Sequence, residues 1–386
     1  MMSHLFPTYQ RWEIEPEKAA GSIIYGKDGQ QYLDFTSGIG VCNLGHRPEA
    51  VEHAVKEQLD LFWHVSNLFP QSIQEEAAKK LAEGSGLGCV FFANSGAEAN
   101  EAAIKLARKA TGRTKIITFL QSFHGRTFAG MAATGQEKIK QGFGSMLETF
   151  IHLPFNDLEA LKNEIDSDTA AVMIEIVQGE GGIHVVSTEF IKEAAKLCAE
   201  NGALLIIDEI QTGIGRTGKP FAFQHFGIEP DIITVAKGLG NGLPIGAAIG
   251  KEDLAEFFGP GSHGSTFGGN PISTAAAVAV MEIIFNDEFL KEASDKSRLL
   301  FELLHKELGC LEMVKEIRGL GLMAGIELTV AAQPILAEMR KSGLIALPAG
   351  EKVVRLLPPL NVTAEEIEKA VSLLKGTLNK SKVTAL

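Results

Sequence analysis

The chain is poor in cysteine and has no long apolar run. Its four cysteines (Cys42, Cys89, Cys198 and Cys310) are scattered and form no C-x-x-C pair. This spacing excludes a zinc knuckle and a disulfide framework, and it indicates reduced thiols. No apolar run approaches membrane-spanning length, and the N-terminus lacks the basic start and apolar core of a signal peptide. We therefore expect a cytoplasmic protein with neither a membrane nor a metal as partner.

Basic side chains are also in the minority. The 386 residues include 36 Lys and Arg against 48 Asp and Glu, which gives a formal net charge of −12. This balance argues against nucleic acid as a partner, although it is compatible with a local basic pocket. With 45% hydrophobic and 22% charged residues, the composition is typical of a globular protein. The length exceeds one ordinary domain, so we expect one large and one smaller domain.

The pattern along the chain divides it into three parts. Residues 1–60 form an N-terminal segment with a strand pair around the Asp-Gly turn at 28–29, and we expect it to pack with the small domain. Residues 61–285 form the large domain, which contains seven apolar strand candidates: Cys89–Ala93, Lys115–Leu120, Phe150–Leu153, Ala170–Val177, Ala203–Asp208, Asp231–Ala236 and Ile245–Gly250. Helical patterns separate several of them, which predicts an α/β fold with a mainly parallel seven-stranded sheet. In such sheets, ligands bind beyond the carboxyl ends of the strands.

The C-terminal part has a different pattern. A helical region from about Ser273 to Leu308 leads out of the large domain, and residues 286–386 form a small α+β domain. Its predicted elements are three short strands and two helices: Gly321–Leu328, Leu344–Leu347 and Val353–Leu357, with Gln333–Ser342 and Thr363–Leu378.

One lysine follows a buried strand and opens a glycine-rich loop. An apolar run from Asp231 delivers Lys237 into a loop in which Gly238, Gly240 and Gly242 let the backbone approach a bulky ligand. A desolvated lysine loses part of its preference for the charged form, so its amine can form a Schiff base with a carbonyl cofactor. The plain alternative is a strand-end lysine that reaches solvent.

Two further strand ends carry groups that suit an anionic, aromatic ligand. The Asn94–Asn100 stretch starts a helix with Ser95, Gly96 and Ala97, where free backbone N–H groups attract an anion. An ordinary cap by Ser95 is the alternative. In the segment 122–126, Phe123 offers a ring for stacking and Arg126 a guanidinium that can bind a carboxylate. The alternative is that Phe123 is a core side chain and Arg126 a surface charge.

Two carboxylates end another apolar strand. Asp208 can hold a proton on a heterocyclic nitrogen, or bind a metal with Glu209, or act as a structural cap. The run that follows, Gly213–Gly218, matches the dinucleotide fingerprint G-x-G-x-x-G. That fingerprint requires a helix, and Lys219-Pro220 is a poor helix start, so we reject a nicotinamide cofactor.

Three more segments complete the set. Glu180, in a glycine-rich turn after a strand, can pair with an arginine or remain solvated. The loop at 263–271 places Ser265 and Thr266 among glycines, as a phosphate site or a plain turn. Arg355 lies inside an apolar strand, where a charge requires a partner or an anionic ligand. Together these segments supply what pyridoxal 5′-phosphate requires: a nucleophilic lysine, a carboxylate for the ring nitrogen, an aromatic side chain that stacks on the ring, and loops that bind the phosphate.

The motifs NSGAEANEAAIK, FHGRT, DEIQTGIGRTG, AKGLGNGLPIGA and HGSTFGGNP resemble those of fold-type-I pyridoxal-phosphate enzymes of the class III aminotransferase family, over nearly the whole chain. The resemblance implies that Lys237 bonds to the cofactor and shuttles a proton. It further implies that Asp208 pairs with the ring nitrogen, Gln211 approaches the ring 3′-oxygen and Phe123 stacks on the ring. Ser95, Gly96 and Ala97 are expected to bind the phosphate.

The resemblance also implies a homodimer with shared sites, because Thr266, with Ser265, is expected to bind the phosphate of the neighbouring subunit's cofactor. Arg126 and Arg355 are expected to bind substrate carboxylates. Glu180 is expected to mask Arg355 while a terminal amine reacts and to release it for 2-oxoglutarate, so that one pocket accepts two substrates in turn.

The amino donor follows from the same resemblance. Ornithine-specific members carry a tyrosine where this chain has Ile39, which has no polar group for a charged α-amine and better suits an acylated donor. The short chain and the segment 63–67, with Ser66, resemble members that act on N-acetylornithine, so we expect that donor with 2-oxoglutarate. 4-Aminobutyrate, ornithine and succinylornithine remain as alternatives.

Two other functions are weighed against transamination. An aminomutase of the same family would need no second keto acid, and the two carboxylate-binding arginines argue against it. A non-catalytic relative would be expected to have lost Lys237 or Asp208, and both are present.

Overall fold

The computed structural model describes residues 4–384 and begins with a small antiparallel sheet. The first elements are β1 (Pro16–Ala20), β2 (Ile23–Gly26), β3 (Gln31–Asp34), α1 (Ser37–Gly40), α2 (Glu49–Leu61) and α3 (Ser72–Ser85). The β2–β3 hairpin confirms the strand pair expected around the Asp-Gly turn. The strand β1 and the helix α3 were not predicted.

Seven strands form the central sheet, and all seven coincide closely with the predicted strands. The elements of this region are β4 (Cys89–Ala93), α4 (Gly96–Thr111), β5 (Lys115–Phe119), α5 (Phe128–Ala133), β6 (Phe150–Leu153), α6 (Leu158–Glu164), β7 (Thr169–Glu175), β8 (Val177–Gln178), β9 (His184–Val185), α7 (Thr188–Asn201), β10 (Leu204–Asp208), β11 (Ile232–Val235) and β12 (Gly246–Gly250). The strand order is β4-β12-β11-β10-β7-β5-β6. Only β12 runs antiparallel to its neighbours, so the sheet is mainly parallel, as expected.

The centre of this sheet is the main core of the protein. Every residue of β7 is buried, which explains why its sequence is a continuous apolar run rather than an alternating one. Each fully buried aliphatic side chain there contributes about 1.5–3 kcal/mol relative to an exposed one. The rigid sheet therefore fixes the positions of the residues that follow its strands.

The helical region expected after the sheet is present. It consists of two helices, α8 (Pro271–Ile284) and α9 (Asp287–Leu308). The break falls at Asn286, whose side chain accepts hydrogen bonds from the backbone N–H groups of Glu288 and Phe289. Because asparagine is a strong N-cap, it ends the first helical pattern and starts a second.

The C-terminal part forms a second antiparallel sheet with order β13-β14-β17-β16. Its elements are β13 (Val314–Gly319), β14 (Ala324–Leu328), α10 (Ala332–Lys341), β15 (Leu344–Ile345), β16 (Leu347–Pro348), β17 (Val353–Leu356) and α11 (Ala364–Thr384). The strand β15 leaves this sheet and pairs in parallel with β3 near the N-terminus. Within residues 4–384, no helix combines the length and apolarity needed to cross a membrane.

Candidate active site

A cavity of about 460 Å³ opens where the parallel strands of the central sheet end. The residues that follow β4, β5, β10 and β11 and the last residue of β7 all contribute to it, as sheet geometry requires. Nine residues expected in the site or beside it line this cavity: Ser95, Gly96, Ala97, Phe123, Arg126, Glu180, Asp208, Gln211 and Lys237. Groups that are widely separated in sequence therefore meet in one place.

The strand β11 ends at Val235, and one residue, Ala236, separates it from Lys237. Its backbone has a φ of 46°, in the left-handed region that a lysine seldom occupies, so the turn aims the side chain in an enforced direction. Burial lowers the pKa of its amine, the Glu180 carboxylate opposes this change, and the Arg355 charge adds to it. The Lys237 amine is thus more readily neutral, and more nucleophilic, than that of a surface lysine.

Asp208 is the last residue of β10 and is only 4% exposed. One of its carboxylate oxygens, Oδ2, accepts hydrogen bonds from Asn100 Nδ2 and His124 Nδ1, both at 2.8 Å. Thr234 in turn donates to Asn100 Oδ1 at 2.7 Å, which fixes the orientation of the Asn100 amide. This network holds the Asp208 carboxylate rigid at the base of the cavity.

Glu175 ends the neighbouring strand β7 and stands in register with Asp208. Burial, together with the nearby Asp208 charge, holds the pKa of Glu175 well above its usual range. Its Oε2 atom accepts a hydrogen bond from the backbone N–H of Phe123 at 3.1 Å. Glu175 is therefore more readily protonated than an ordinary glutamate, and its hydrogen bond braces the Phe123 loop.

The N-terminus of α4 forms one wall of the cavity. Ser95 caps the helix by accepting from the Glu98 N–H at 3.2 Å, and Glu98 Oε2 accepts from the Asn94 N–H at 2.6 Å. The N–H groups of Gly96 and Ala97 precede Ala99, the first residue whose N–H donates within the helix, so they are available to an anion. The capping role and the anion-binding role of Ser95 are therefore compatible.

The aromatic and basic side chains of the 122–126 segment lie side by side. Arg126 is exposed, and its guanidinium carbon lies 5.9 Å from the centre of the Phe123 ring. Both side chains line the cavity, where the exposed Arg126 guanidinium can meet a carboxylate that enters from solvent.

Arg355 and Glu180 form an ion pair at the cavity. Arg355 is 2% exposed and donates through Nη1 to Glu180 Oε1 at 2.6 Å, to Gln211 Oε1 at 2.9 Å and to the Gly179 carbonyl at 2.7 Å. Burial would raise the pKa of Glu180, but the Arg355 charge and hydrogen bonds outweigh burial and lower that pKa. The Gln211 side chain thus joins the carboxylate-binding pair.

Five expected site residues do not line this cavity in a single chain: Arg355, described above, and Ser265, Thr266, Ile39 and Ser66. Ser265 bonds to the Asn94 amide at 3.1 Å, and Thr266 beside it is exposed. Ile39 is 46% exposed and has a φ of 70°, while Ser66 has a φ of 72°.

Roles for Asn100, His124, Glu175 and Thr234 were not predicted. Asn100 and His124 stood inside the quoted motifs and Glu175 inside a predicted strand, but their proximity to Asp208 spans sequence distances that a pattern does not reveal. The rejected dinucleotide fingerprint, 213–218, consists of turns, and a short 3-10 helix, Ala222–His225, follows it. Among residues 4–384, no group of three or more His, Cys, Asp or Glu side chains is placed to hold a metal ion.

The chain belongs to the class III aminotransferase family, because the model of that family matches residues 7–378. It is 61% identical over 378 residues to the acetylornithine aminotransferase of Bacillus subtilis (strain 168), covering 98% of both chains. It is 52% identical to the acetylornithine aminotransferase of Listeria monocytogenes serovar 1/2a, covering 98% of this chain and 97% of the other.

Solved structures agree with this assignment. The ornithine aminotransferase of Toxoplasma gondii ME49 superposes with a TM-score of 0.94 at 30% identity, covering 99% of this chain and 94% of that one. The N-acetylornithine aminotransferase of Stenotrophomonas maltophilia K279a superposes with a TM-score of 0.85 at 34% identity, covering 98% of each chain. The expectation of a fold-type-I architecture is thereby confirmed.

Proposed function

We propose that the protein uses pyridoxal 5′-phosphate to transfer the terminal amine of N2-acetylornithine to 2-oxoglutarate. The products are N-acetylglutamate 5-semialdehyde and glutamate. The observation that carries this proposal is the meeting of Lys237, Asp208 and the α4 N-terminus in one cavity, with the Arg355–Glu180 pair beside them. Full-length relatives named acetylornithine aminotransferase support the choice of donor. Arginine biosynthesis and a cytoplasmic location belong to the same proposal.

The residues of the cavity fit this cofactor. Gly96 and Ala97 offer backbone N–H groups to a phosphate, Phe123 offers a ring face, and Asp208 offers a fixed negative charge to a protonated ring nitrogen. When bound, the cofactor supplies an aldehyde for the incoming amine and a ring that stabilises negative charge on the reacting carbon. Asp208 sustains that property by keeping the ring nitrogen protonated, and His124 and Asn100 hold Asp208 in place.

Lys237 serves two purposes in this scheme. Its amine, whose pKa is lowered by burial, holds the cofactor before substrate arrives. With the donor bound, the neutral Lys237 amine would accept the proton from the donor's terminal carbon and would later give it back. A fully charged surface lysine could not accept that proton.

The two arginines explain how one pocket handles two unlike substrates. Glu180 neutralises Arg355 while the acetylated donor reacts, because that donor places no carboxylate near Arg355. 2-Oxoglutarate carries two carboxylates, and its α-carboxylate displaces Glu180 from Arg355 while Arg126 receives the distal one. The exposed and apolar Ile39 suits the uncharged acetamide of the donor.

We also propose that the protein is a homodimer with shared sites. Large apolar side chains are exposed on the segment 59–69 and on the adjoining loop: Leu61 at 72%, Trp63 at 66%, Leu68 at 90%, Phe69 at 61% and Phe267 at 59%. Contacts between Asn67 and the carbonyls of Ser265 and Gly268 join these elements into one face. A second copy of the chain covering this face would bring Thr266 towards the neighbouring cavity. Sedimentation of wild type as a dimer, and of Leu68→Asp as a monomer with lost activity, would support this arrangement.

We also propose a division of the chain into domains. Residues 61–285 form the large cofactor-binding domain, and residues 1–60 pack with the small domain, residues 286–386. The pairing of β3 with β15 supports this division.

Single half-reactions test the proposed function. The cofactor-loaded protein is mixed separately with N-acetylornithine, ornithine and 4-aminobutyrate without a keto acid, and the visible absorption of the bound cofactor is followed. We expect the fastest loss with N-acetylornithine. A faster loss with either other amine would replace the donor, and no loss with any amine would refute transamination.

A further inference from the structure

We propose that Arg318 is a positioning residue that anchors the turn carrying Glu180 and thereby sets how firmly Glu180 covers Arg355. The turn, residues 179–183, connects β8 and β9. This inference deepens the proposed function, since it concerns the exchange between Glu180 and a substrate carboxylate. Arg318 itself lies on β13, outside the cavity.

Arg318 holds the turn through its backbone. Its Nε and Nη2 atoms donate to the Gly182 carbonyl at 2.9 and 2.7 Å. Its Nη1 atom donates to Glu327 at 2.6 Å and to Glu316 at 2.5 Å, and the side chain is only 11% exposed. The two carboxylates keep the guanidinium oriented, so that its Nε and Nη2 atoms remain directed at the Gly182 carbonyl.

The same sheet row that carries Arg318 carries Arg355. Arg318 pairs with Gly325 across β13 and β14, and Gly325 pairs with Arg355 across β14 and β17. Ile183 packs over Gly325, where an added Cβ would come within 2.8 Å of the Ile183 side chain. Arg355 binds the Gly179 carbonyl at 2.7 Å, so two arginines of one row hold the two ends of the turn.

The backbone of the turn needs this restraint. Gly182 has a φ of 112°, and Ile183, a β-branched residue, has a φ of 59°. Such a conformation persists only where its surroundings enforce it. When a substrate carboxylate displaces Glu180, the side-chain part of the Arg355 contact is lost, whereas the Arg318 contact does not involve Glu180. Arg318 therefore keeps the turn in place for Glu180 to return.

Lys315 provides a matched control. It also pairs with Glu327, at 2.6 Å, but among the described residues it makes no hydrogen bond or ion pair with residues 179–183. Arg318→Gln and Lys315→Gln both remove one positive charge from the same carboxylate. Only the first removes the hold on Gly182.

The experiment compares both variants with wild type in two ways. Hydrogen exchange of the cofactor-loaded, substrate-free protein reports the amides of residues 179–185. Single-turnover rates are measured with N-acetylornithine and with glutamate. Their ratio reports the preference between a donor that places no carboxylate near Arg355 and one whose α-carboxylate binds Arg355. For Arg318→Gln, we expect faster exchange in 179–185 and a preference for N-acetylornithine lowered about tenfold, the scale of one charge-assisted hydrogen bond. Lys315→Gln should match wild type, and Arg318→Lys should lie between.

Unchanged exchange or an unchanged preference in Arg318→Gln would overturn the inference, since a purely structural role would not move the ratio of the two rates. If Arg318→Gln does not fold, Arg318→Lys gives the same decision with a smaller expected shift. A wild-type enzyme inert with N-acetylornithine would instead refute the proposed function. In that case, exchange and the rate with glutamate would still decide the role of Arg318.

Discussion

The substitution Glu180→Gln tests the two-substrate scheme most sharply. In wild type, Glu180 Oε1 lies 2.6 Å from Arg355 Nη1. The substitution keeps the shape of the side chain and an oxygen for Nη1, but it removes the negative charge that pairs with the 2% exposed Arg355. A hydrogen bond to a charged group contributes about 1.5–3 kcal/mol, and a neutral one about 0.5–1.5 kcal/mol. The difference of about 1–2 kcal/mol corresponds to about a 5- to 30-fold change in how readily Arg355 accepts another carboxylate.

The assay compares single-turnover rates with glutamate and N-acetylornithine in wild type and Glu180→Gln. We expect the ratio of the glutamate rate to the N-acetylornithine rate to rise by about 5- to 30-fold, because an uncovered Arg355 binds the α-carboxylate of glutamate. Glu159→Gln, which removes a carboxylate from an exposed pair with Lys162, is the control and should leave the ratio unchanged. An unchanged or lower ratio in Glu180→Gln would refute the masking of Arg355 by Glu180.

Three further outcomes are expected. Asp208→Asn should keep the fold, judged by circular dichroism, and lower turnover by several orders of magnitude, because a neutral amide cannot hold the proton on the ring nitrogen; near-normal turnover would remove that role. Arg355→Ala should slow the 2-oxoglutarate half-reaction far more than the donor half-reaction, and equal losses would contradict the two-arginine scheme. The Asp34 hydrogen bond, with a contribution from Cys42, raises the pKa of His46 to about 10. The contribution of this contact to the free energy of unfolding is therefore fully present below pH 6.5, the pKa of an unperturbed histidine, and is lost as the pH rises towards 10. Urea unfolding should show this decline in wild type and not in Asp34→Asn, and identical pH profiles would contradict it.

The central sheet could be predicted from the sequence because its strands are buried on both faces. Continuous apolar runs such as the one that forms β7 have no competing interpretation as surface elements. β13 escaped prediction because Val-Lys-Glu-Ile-Arg-Gly mixes charges with apolar residues at the edge of a sheet, where a register shift also interrupts the pairing. Arg318 therefore carried no signal in the sequence.

The parts of the candidate site that could be predicted are those in which a single residue at a strand end indicates a role. Asp208 ends one apolar strand and Lys237 comes soon after another, and the sheet brings them to the same edge. Partners that depend on side-chain packing were not predictable: His124 meets Asp208 across 84 residues of sequence, and Arg355 meets Gln211 across 144. The expected roles of Ser265 and Thr266 require a second chain.

The most direct test of the central claim is to locate the cofactor's point of attachment. The cofactor-loaded protein is reduced with borohydride, digested, and analysed by peptide mass spectrometry, with Lys237→Ala treated in parallel. We expect a pyridoxyl mass increase on the peptide that contains Lys237, and none in the variant. Labelling of a different lysine, or equal labelling of Lys237→Ala, would contradict the assignment of this cavity as the active site.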